Sequence, residues 1–378
     1  MKKIGIITYH KHYNYGTMLQ AYALQKKIDD LGYESEIINF KNDMSLSKGK
    51  LLALRIKRLG IYVKNRKKYM IMSRNKKNIE KKNKLFDEFY NTEMKVGTHF
   101  YKNTEELMKE PPLYDGYVVG SDQTWNPYAS NGPEAFFLPF VSDSKKKGSY
   151  APSVSVSSLT EMQKEKYKRL LEGFEYLSCR EEAGAKIIEE IMERPVRLVL
   201  DPTFLLDRND WKKISMEKKS EEKYILTYFL GEKKEHRNYV KELSAKLQYK
   251  IVSIPTTYIE MDDKLTEKEW IGPREFISLI ENAEIVCTDS FHGMALSINF
   301  NKQFYVFCKT DDSVEESENS RLYNILSLFE ISDRMIGLND EVFEDIEEID
   351  YNKVNHKLNI VREDSINYLK NMLENITK

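Results

Sequence analysis

The sequence is poor in cysteine, has no long apolar run and carries no excess of charge of either sign. Its three cysteines, Cys179, Cys287 and Cys308, are too few and too scattered for a disulfide framework or a cysteine-based zinc site, which favours a reducing compartment. No stretch approaches the roughly 18 consecutive apolar residues that a membrane-spanning helix needs. With 59 Lys and Arg against 60 Asp and Glu, the net charge of −1 argues against a nucleic-acid binder.

The remaining composition is that of an ordinary globular protein. The chain has 378 residues, 41% of them hydrophobic and 31% charged, which suggests two domains with a core in each. Residues 1–10 have the basic start of a signal peptide, but their apolar run is too short for one. We therefore interpret them as a first β-strand and expect a cytoplasmic protein.

Apolar runs of strand length alternate with segments of helical periodicity along most of the chain. The predicted strands cover residues 4–8, 36–40, 117–119, 148–151, 176–179, 196–200, 224–230, 250–254, 284–288 and 303–307. This alternation predicts an α/β fold with parallel sheets covered by helices. The charged segment 207–223 is predicted to be a linker, and the tail reads as one long helix. The expected architecture is two Rossmann-like domains, residues 1–206 and 222–340, followed by a C-terminal helix at 350–378.

Residues 48–84 interrupt this alternation with a basic insertion, which extends over about 45–90 of the first domain. The segment contains many Lys and Arg, a single acidic residue, Glu80, and interleaved apolar residues. This composition fits a basic amphipathic helix lying on an anionic membrane surface. It fits equally a solvated helical hairpin that packs on the domain by its apolar side. The sequence leaves both interpretations open.

Four loops follow predicted strands, where ligands of parallel sheets bind. The first contains His10, His12, Asn14 and Gly16, just before a helix. The second contains Asp122, Gln123, Trp125 and Asn126, hydrogen-bonding groups beside an aromatic ring that would suit a sugar. The third contains Arg180, directly after the predicted strand 176–179. The fourth, residues 287–293, contains Ser290, Phe291, His292 and Gly293.

Each loop also has a purely structural interpretation. Residues 120–122 could form a tight turn, and Asp289 and Ser290 could cap the helix that follows. Arg180 could form an ordinary surface ion pair with Glu181 or Glu182. No constellation of metal ligands is apparent, so we predict no metal site. From these residues alone, we expect a ligand in a cleft between two Rossmann-like domains.

An ordered set of motifs resembles the polysaccharide pyruvyl transferase family. The motifs are Asn14-Tyr-Gly, Gly120-Ser-Asp-Gln-Thr-Trp-Asn-Pro, Ser178-Cys-Arg-Glu, Leu200-Asp-Pro-Thr and Thr288-Asp-Ser-Phe-His-Gly, and the likeness runs from about residue 3 to about residue 334. The resemblance implies a glycosyltransferase-B-like arrangement of the two domains. It also implies transfer of pyruvate from phosphoenolpyruvate onto a sugar hydroxyl pair of a surface-polysaccharide precursor, as an acetal. No cofactor is expected besides this donor substrate.

The resemblance assigns roles to particular residues. His292 becomes the acid/base candidate, because histidine titrates near neutrality. Arg180 becomes a donor-anion clamp, with Ser290, Phe291, Gly293 and Arg321 on the same donor side. The acceptor is expected on the first domain, at His12, Asn14, Gly16, Asp122, Gln123, Trp125 and Asn126. Some members of the family carry Arg-Leu-His at the second-domain motif, which would place arginine where this chain has Ser290. Ser290, the helix N-terminus behind it and Arg321 would then have to compensate.

Two other functions remain open at this point. A glycosyltransferase with a nucleotide-sugar donor would use the same cleft, because Arg180 and a helix N-terminus also suit a diphosphate. A non-catalytic binding protein of a polysaccharide assembly complex is the alternative of another class. Acceptors in the family are often lipid-linked, so docking of the insertion at 48–84 on the anionic inner leaflet is a hypothesis. The oligomeric state cannot be inferred from the sequence.

Overall fold

Two parallel β-sheets, each flanked by helices, organise the chain. The computed structural model describes residues 1–41, 65–129, 134–217, 222–309, 319–338, 340 and 347–378. The first part contains β1 (Lys3–Ile7), α1 (Tyr15–Asp30), β2 (Glu34–Ile37), α2 (Arg66–Arg74), α3 (Lys76–Glu93), α4 (Thr104–Lys109), β3 (Gly116–Val119), β4 (Lys147–Ser149), α5 (Glu161–Leu171), β5 (Ser178–Cys179), α6 (Glu182–Met192) and β6 (Arg197–Leu198).

The first sheet has the strand order β2-β1-β3-β4, all parallel. The short parallel pair β5-β6 continues beyond β4 through a bridge between Gly148 and Tyr176. The strands β1 and β3 are buried on both faces, which explains their unbroken apolar sequence. Because β2 and β3 lie on opposite sides of β1, the order of the strands reverses between β1 and β3.

The second sheet contains six parallel strands. After α7 (Arg208–Ile214) come β7 (Tyr224–Tyr228), α8 (Lys234–Leu247), β8 (Lys250–Ser253), α9 (Tyr258–Asp262), β9 (Glu267–Lys268), α10 (Pro273–Asn282), β10 (Ile285–Thr288), α11 (Phe291–Asn299), β11 (Gln303–Phe307), α12 (Ser320–Leu328) and β12 (Met335–Ile336). The order β12-β11-β10-β7-β8-β9 is the doubly wound Rossmann order, which reverses between β7 and β10. The predicted α/β fold with two Rossmann-like domains is confirmed.

The final helix, α13 (Tyr351–Ile376), crosses back from the second domain to the first sheet. Its buried face includes Leu369 and Met372, and the Tyr368 hydroxyl donates to the Ser149 carbonyl at 3.1 Å. A β-carbon on Gly148 of β4 would overlap the Met372 side chain, so glycine permits this close approach. The long C-terminal helix predicted from the sequence is therefore present, and it packs on the first domain.

One cluster of buried apolar side chains spans both domains. Tyr15 of α1 stacks on Phe276 of α10 with ring centroids 4.3 Å apart, and its hydroxyl donates to the Ile271 carbonyl at 2.8 Å. On the other side of the interface, the Asn299 amide donates to the Thr203 carbonyl at 2.8 Å. The two sheets are thus fixed relative to each other by a continuous core and by buried hydrogen bonds.

Two sequence-based expectations need correction or completion. The predicted linker at 207–223 contains α7, because Asp207 caps that helix and the Trp211 side chain is fully buried. The basic insertion lies partly in residues 42–64, outside the described residues. Its remaining part forms α2 and α3, and Phe86 and Phe89 of α3 enter the core. Among the described residues, no helix is long and apolar enough to cross a membrane.

The packing of α13 can be tested by comparing a buried with an exposed position on the same helix. Leu369 is fully buried and Ile360 is 57% exposed. We expect Leu369→Ala to lower the free energy of unfolding by about 2–5 kcal/mol, because it leaves a cavity against the first sheet. Ile360→Ala should change it by less than about 0.5 kcal/mol. Urea denaturation followed by tryptophan fluorescence measures both, and equal midpoints would contradict the packing role.

Candidate active site

The carboxyl ends of the two sheets face one shared cleft. Ligands of doubly wound sheets bind where the strand order reverses, and both reversal points lie at this cleft. The cleft has a volume of about 450 Å³. The first domain lines it with Tyr9, His12, Asn14, Thr17, Asp122, Gln123 and Ala129, and the second domain with Leu230, Ser290, Phe291, His292, Lys309 and Arg321.

The loop after β1 places two of its polar residues in the cleft. His12 lines it, and burial lowers the pKa of its imidazole against the opposing effect of Asp122. Asn14 caps α1, because its side-chain oxygen accepts a hydrogen bond from the Thr17 backbone N–H at 3.1 Å. His10 lies elsewhere: its ring is buried, Nδ1 is 3.0 Å from the Thr8 carbonyl, and burial lowers its pKa to about 4. His10 is therefore structural.

The loop after β3 presents a carboxylate in a constrained conformation. Asp122 has φ of 71°, in the left-handed region that few residues other than glycine adopt. One carboxylate oxygen accepts from the Thr17 hydroxyl at 2.8 Å and the other from the Gln123 backbone N–H at 2.9 Å. Backbone strain of this kind recurs at functional sites. Asp122 and Gln123 are thus held in the cleft wall.

Trp125 and Asn126 lie behind this wall rather than in it. The Trp125 side chain is fully buried, stacks on Phe137 at 5.7 Å and donates from its indole N–H to the Phe136 carbonyl at 3.1 Å. The large apolar ring system is more stable in the core, so the face of Trp125 is not available to a sugar. The Asn126 amide donates to the Gln123 side-chain oxygen at 3.2 Å and so orients Gln123 from outside the cleft lining.

Arg180 is buried behind the cleft. Its Nη1 donates to Asp201 Oδ2 at 2.9 Å, and its guanidinium lies 4.7 Å above the Phe291 ring. Nε and Nη2 are buried with no hydrogen-bond partner in the part of the chain that the structure describes. The structure therefore places this cation under the cleft floor, in contact with the residue before His292, and not in the lining.

The N-terminus of α11 forms the floor from the second domain. Ser290 caps the helix by accepting from the Gly293 backbone N–H at 3.4 Å, and it also lines the cleft. The Asp289 carboxylate accepts the Leu230 and Gly231 backbone N–H groups at 2.6 and 2.8 Å, which joins the loops after β7 and β10. A β-carbon on Gly293 would lie 2.6 Å from the Thr288 hydroxyl, so glycine allows the helix to start this close to its strand.

His292 projects from this helix into the first domain. Its side chain is 11% exposed, and Nε2 lies 3.8 Å from Asp201 Oδ2. Burial lowers the pKa of the imidazole, and Arg180 lowers it further against the opposing effect of Asp201. His292 is therefore neutral at pH 7, with a carboxylate beside it.

Asp201 is fully buried, and yet it remains ionised. Its Oδ1 accepts from the Thr203 backbone N–H at 3.0 Å and the Thr203 hydroxyl at 2.7 Å, and its Oδ2 accepts from the Ser121 hydroxyl at 2.8 Å. Burial by itself would raise the pKa of this carboxyl, but the neighbouring His292 imidazole, the Arg180 guanidinium and the hydrogen bonds from Thr203 lower it to about 2.

The helices α1 and α11 approach each other at their N-termini. Gly16, in the first turn of α1, lies so close to His292 that a β-carbon there would overlap the imidazole. Two helix N-termini therefore point to one region, and each contributes partial positive charge. The floor of the cleft is suited to an anion.

Several residues of the site were not predicted from the sequence. Asp201 belongs to the Leu200-Asp-Pro-Thr motif, but the motif gave it no role. Lys309 follows β11, and the rule that ligands bind after the ends of parallel strands could have identified it. Tyr9 and Thr17 line the first-domain wall without having been singled out. Arg321 lines the cleft from the second domain. Among the residues that the structure describes, no group of three His, Cys, Asp or Glu side chains could hold a metal ion.

Comparison with known proteins identifies one family. The family model described as polysaccharide pyruvyl transferase matches residues 14–307. No curated protein matches the chain. Among solved structures, UDP-GlcNAc 2-epimerase of Methanocaldococcus jannaschii is 14% identical, with a TM-score of 0.43 and coverage of 95% of this chain and 99% of that chain.

Two further solved structures show the same low level of likeness. UDP-N-acetylglucosamine 2-epimerase of Rickettsia bellii is 10% identical, with a TM-score of 0.48 and coverage of 98% of this chain and 96% of that one. MurG of Acinetobacter baumannii is 8% identical, with a TM-score of 0.43 and coverage of 100% and 95%. At these values, none of the three structures bears on the activity of this chain.

The contact between Gly16 and His292 can be tested by adding one methyl group. We expect Gly16→Ala to displace the imidazole, to shift the His292 ring resonances in NMR spectra, and to destabilise the protein by about 1–3 kcal/mol through overpacking. Gly173→Ala is the control, because a β-carbon there meets no atom closer than 3.4 Å. Unchanged His292 resonances in Gly16→Ala would contradict this contact.

Proposed function

Because the chain belongs to the polysaccharide pyruvyl transferase family, we propose that it transfers the enolpyruvyl-derived group of phosphoenolpyruvate to a pair of sugar hydroxyls. The product is a pyruvate acetal on a surface-polysaccharide precursor. Membership in a family of transferases makes the chain an enzyme and sets aside the binding-protein alternative. The observation that supports this reaction best is the position of the buried, neutral His292 between two different walls. The first-domain wall carries hydrogen-bonding side chains, and the second-domain wall carries cations and a helix N-terminus.

The second-domain wall supports binding of the donor. Phosphoenolpyruvate carries a phosphate and a carboxylate, and both require positive charge or N–H donors. Lys309 and Arg321 line this wall beside Ser290 at the start of α11. We assign direct donor contact to these residues. Arg180 then acts from below as a fixed positive charge, because Asp201 and Phe291 cover it.

The first-domain wall supports binding of the sugar. His12, Asn14, Asp122 and Gln123 offer both donors and acceptors toward the cleft, as the vicinal hydroxyls of a sugar require. Thr17 and the Gln123 backbone fix the Asp122 carboxylate. A carboxylate fixed in this way can accept a hydrogen bond from a hydroxyl without losing side-chain entropy on binding.

The proposed reaction balances two protons and three C–O bonds. The two sugar hydroxyls lose two protons: one is added to carbon 3 of the donor, giving its methyl group, and the other leaves with the phosphate. Carbon 2 forms two bonds to the sugar oxygens and loses its bond to the phosphate oxygen. Neutral His292 accepts the first hydroxyl proton, and the positive charge around it favours return of that proton to the substrate.

A nucleotide-sugar glycosyltransferase is the second candidate. Lys309, Arg321 and the N-terminus of α11 would bind a diphosphate as well as they would bind phosphoenolpyruvate. Donor binding distinguishes the two candidates, because only a glycosyltransferase gains from a nucleoside group.

Donor choice is tested by isothermal titration calorimetry. We expect phosphoenolpyruvate to bind, and Arg321→Gln or Lys309→Gln to weaken that binding by about tenfold or more, because each removes a charged contact to the donor. Lys353→Gln is the control, because Lys353 lies on the exposed face of α13. Binding of a nucleoside diphosphate without binding of phosphoenolpyruvate would replace this proposal by the glycosyltransferase.

The role of His292 is tested by His292→Gln. We expect this variant to bind phosphoenolpyruvate as the parent enzyme does but to release phosphate about 100-fold more slowly or worse with a sugar acceptor, because no general base remains. The assay measures acceptor-dependent phosphate release. Full activity of the folded variant would rule out His292 as the base.

The described part of the basic insertion supports contact with anionic lipids. Helix α2 exposes Tyr69 (40%), Met70 (45%) and Met72 (39%) beside exposed Arg66 and Arg74. Exposed apolar side chains among cations are typical of helices that lie on anionic membranes. We propose that this face brings a cytoplasmic enzyme to a lipid-linked acceptor at the inner membrane surface.

Vesicle co-sedimentation tests this membrane contact. We expect the protein to bind vesicles with 30% anionic lipid, and Arg66→Gln, Arg74→Gln and Lys77→Gln together to weaken binding by about 100-fold, at about 1 kcal/mol for each charge. The matched control replaces three cations of α13, Lys353, Lys357 and Lys370, by Gln. Equal binding by both triple variants would exclude α2 and the first turn of α3, which carries Lys77, as the contact.

A further inference from the structure

Asp201 is a buried charge that the proposed function does not yet explain. It belongs to the first domain, where it precedes the short helix Pro202–Thr203–Phe204, and its side chain is fully buried. An ionised carboxylate loses several kcal/mol of solvation when it is buried, so its neighbours must compensate. Four donors do so, from Ser121, Arg180 and Thr203. Beyond these donors, His292 Nε2 lies 3.8 Å from Oδ2.

We propose that Asp201 is the positioning residue for His292: it holds the proton on Nε2, keeps the lone pair on Nδ1, and stabilises the imidazolium that forms when Nδ1 accepts a proton. The proposal rests on the assignment of His292 as the base in the proposed function. It does not depend on any role taken from the family's motifs, because the two side chains face each other in the structure. The 3.8 Å between Nε2 and Oδ2 exceeds a hydrogen bond. Catalytic hydrogen bonds are often this long before substrate binds.

The hydrogen-bonding state of Nε2 supports this assignment. Nε2 is buried and has no partner within hydrogen-bond distance among the described residues. A buried N–H or lone pair left without a partner costs free energy, so a nearby anion is the natural partner for a proton at this atom. The other ring nitrogen, Nδ1, lies at Gly16, beside the N-terminus of α1. Partial positive charge there favours a lone pair on Nδ1 over a proton.

Helix α11 fixes the distance between the two residues. His292 lies in its first turn and Asn299 ends it, and the Asn299 amide donates to the carbonyl of Thr203, two residues after Asp201. Arg362 of α13 donates to the carbonyl of Phe204 at 2.5 Å and to the Asn299 side-chain oxygen at 2.9 Å. Both ends of α11 therefore contact the segment that carries Asp201. The pair forms only where the two domains pack together.

The charges that face His292 oppose one another. Asp201 and Asp122 favour the imidazolium, whereas Arg180, Arg321 and burial disfavour it. His12 and Lys309 line the same cleft. Replacing Asp201 by Asn removes the nearest negative charge and leaves Arg180 in place. The pKa of His292 must then fall further, and the Nε2 proton loses its anionic acceptor.

The first test uses the unaltered protein. Long-range ¹H–¹⁵N spectra of histidine-labelled protein, assigned with His292→Gln, report which ring nitrogen carries the proton. We expect the Nε2–H tautomer of neutral His292. A predominant Nδ1–H tautomer would overturn the proposal. This measurement needs neither donor nor acceptor, so it stands even if pyruvyl transfer fails its own tests.

The second test compares Asp201→Asn with Ser121→Ala by pH titration. Ser121→Ala removes one hydrogen bond from the same carboxylate oxygen but keeps the charge. In Asp201→Asn we expect the His292 pKa to fall, the acid limb of kcat/KM to move to lower pH, and kcat to drop by about 100-fold. Ser121→Ala should keep the acid limb and lose less than about threefold in kcat. A drop in kcat with an unmoved acid limb and an unmoved His292 pKa would show that Asp201 acts only on folding.

Discussion

The close approach of two helix N-termini, at Gly16 and His292, is the contact on which the candidate site depends. It brings an imidazole from the second domain under the reversal point of the first sheet. Because each strand order reverses at this cleft, both sheets direct their helix N-termini to the same place. A single methyl group at Gly16 would exclude the ring. The packing of the two domains therefore also fixes the position of the His292 imidazole.

This arrangement concentrates positive charge, and a buried carboxylate compensates for it. Two helix N-termini and Arg180 surround the imidazole, so burial and charge together keep His292 neutral. Asp201 Oδ2 accepts a hydrogen bond from Arg180 Nη1 at 2.9 Å. The carboxylate remains ionised because Ser121 and Thr203 also donate hydrogen bonds to it. The residual positive charge of the floor suits a substrate with several negative charges. The same electrostatic arrangement holds the pKa of His292 below its ordinary value.

The two walls of the cleft divide the chemistry between the domains. Hydrogen-bonding side chains come from loops after β1 and β3, and cations come from the ends of β11 and the start of α12. Helix α13 and the continuous core fix the two walls relative to each other. This division suits the proposed transfer, because an anionic donor and a hydroxyl-rich acceptor require different kinds of contact.

The sequence by itself determined the α/β fold, the long C-terminal helix and the strand ends that carry His12, Asn14, Asp122, Gln123 and His292, because strand and helix periodicities are local and strand ends bind ligands. It could not determine which side chains reach the cleft. Trp125 and Arg180 also follow strands, yet tertiary packing buries the first in the core and places the second on Asp201. The contacts of His292 with Asp201 and Gly16 join residues 91 and 276 positions apart. Such contacts depend on how two complete domains pack, and no local pattern encodes that.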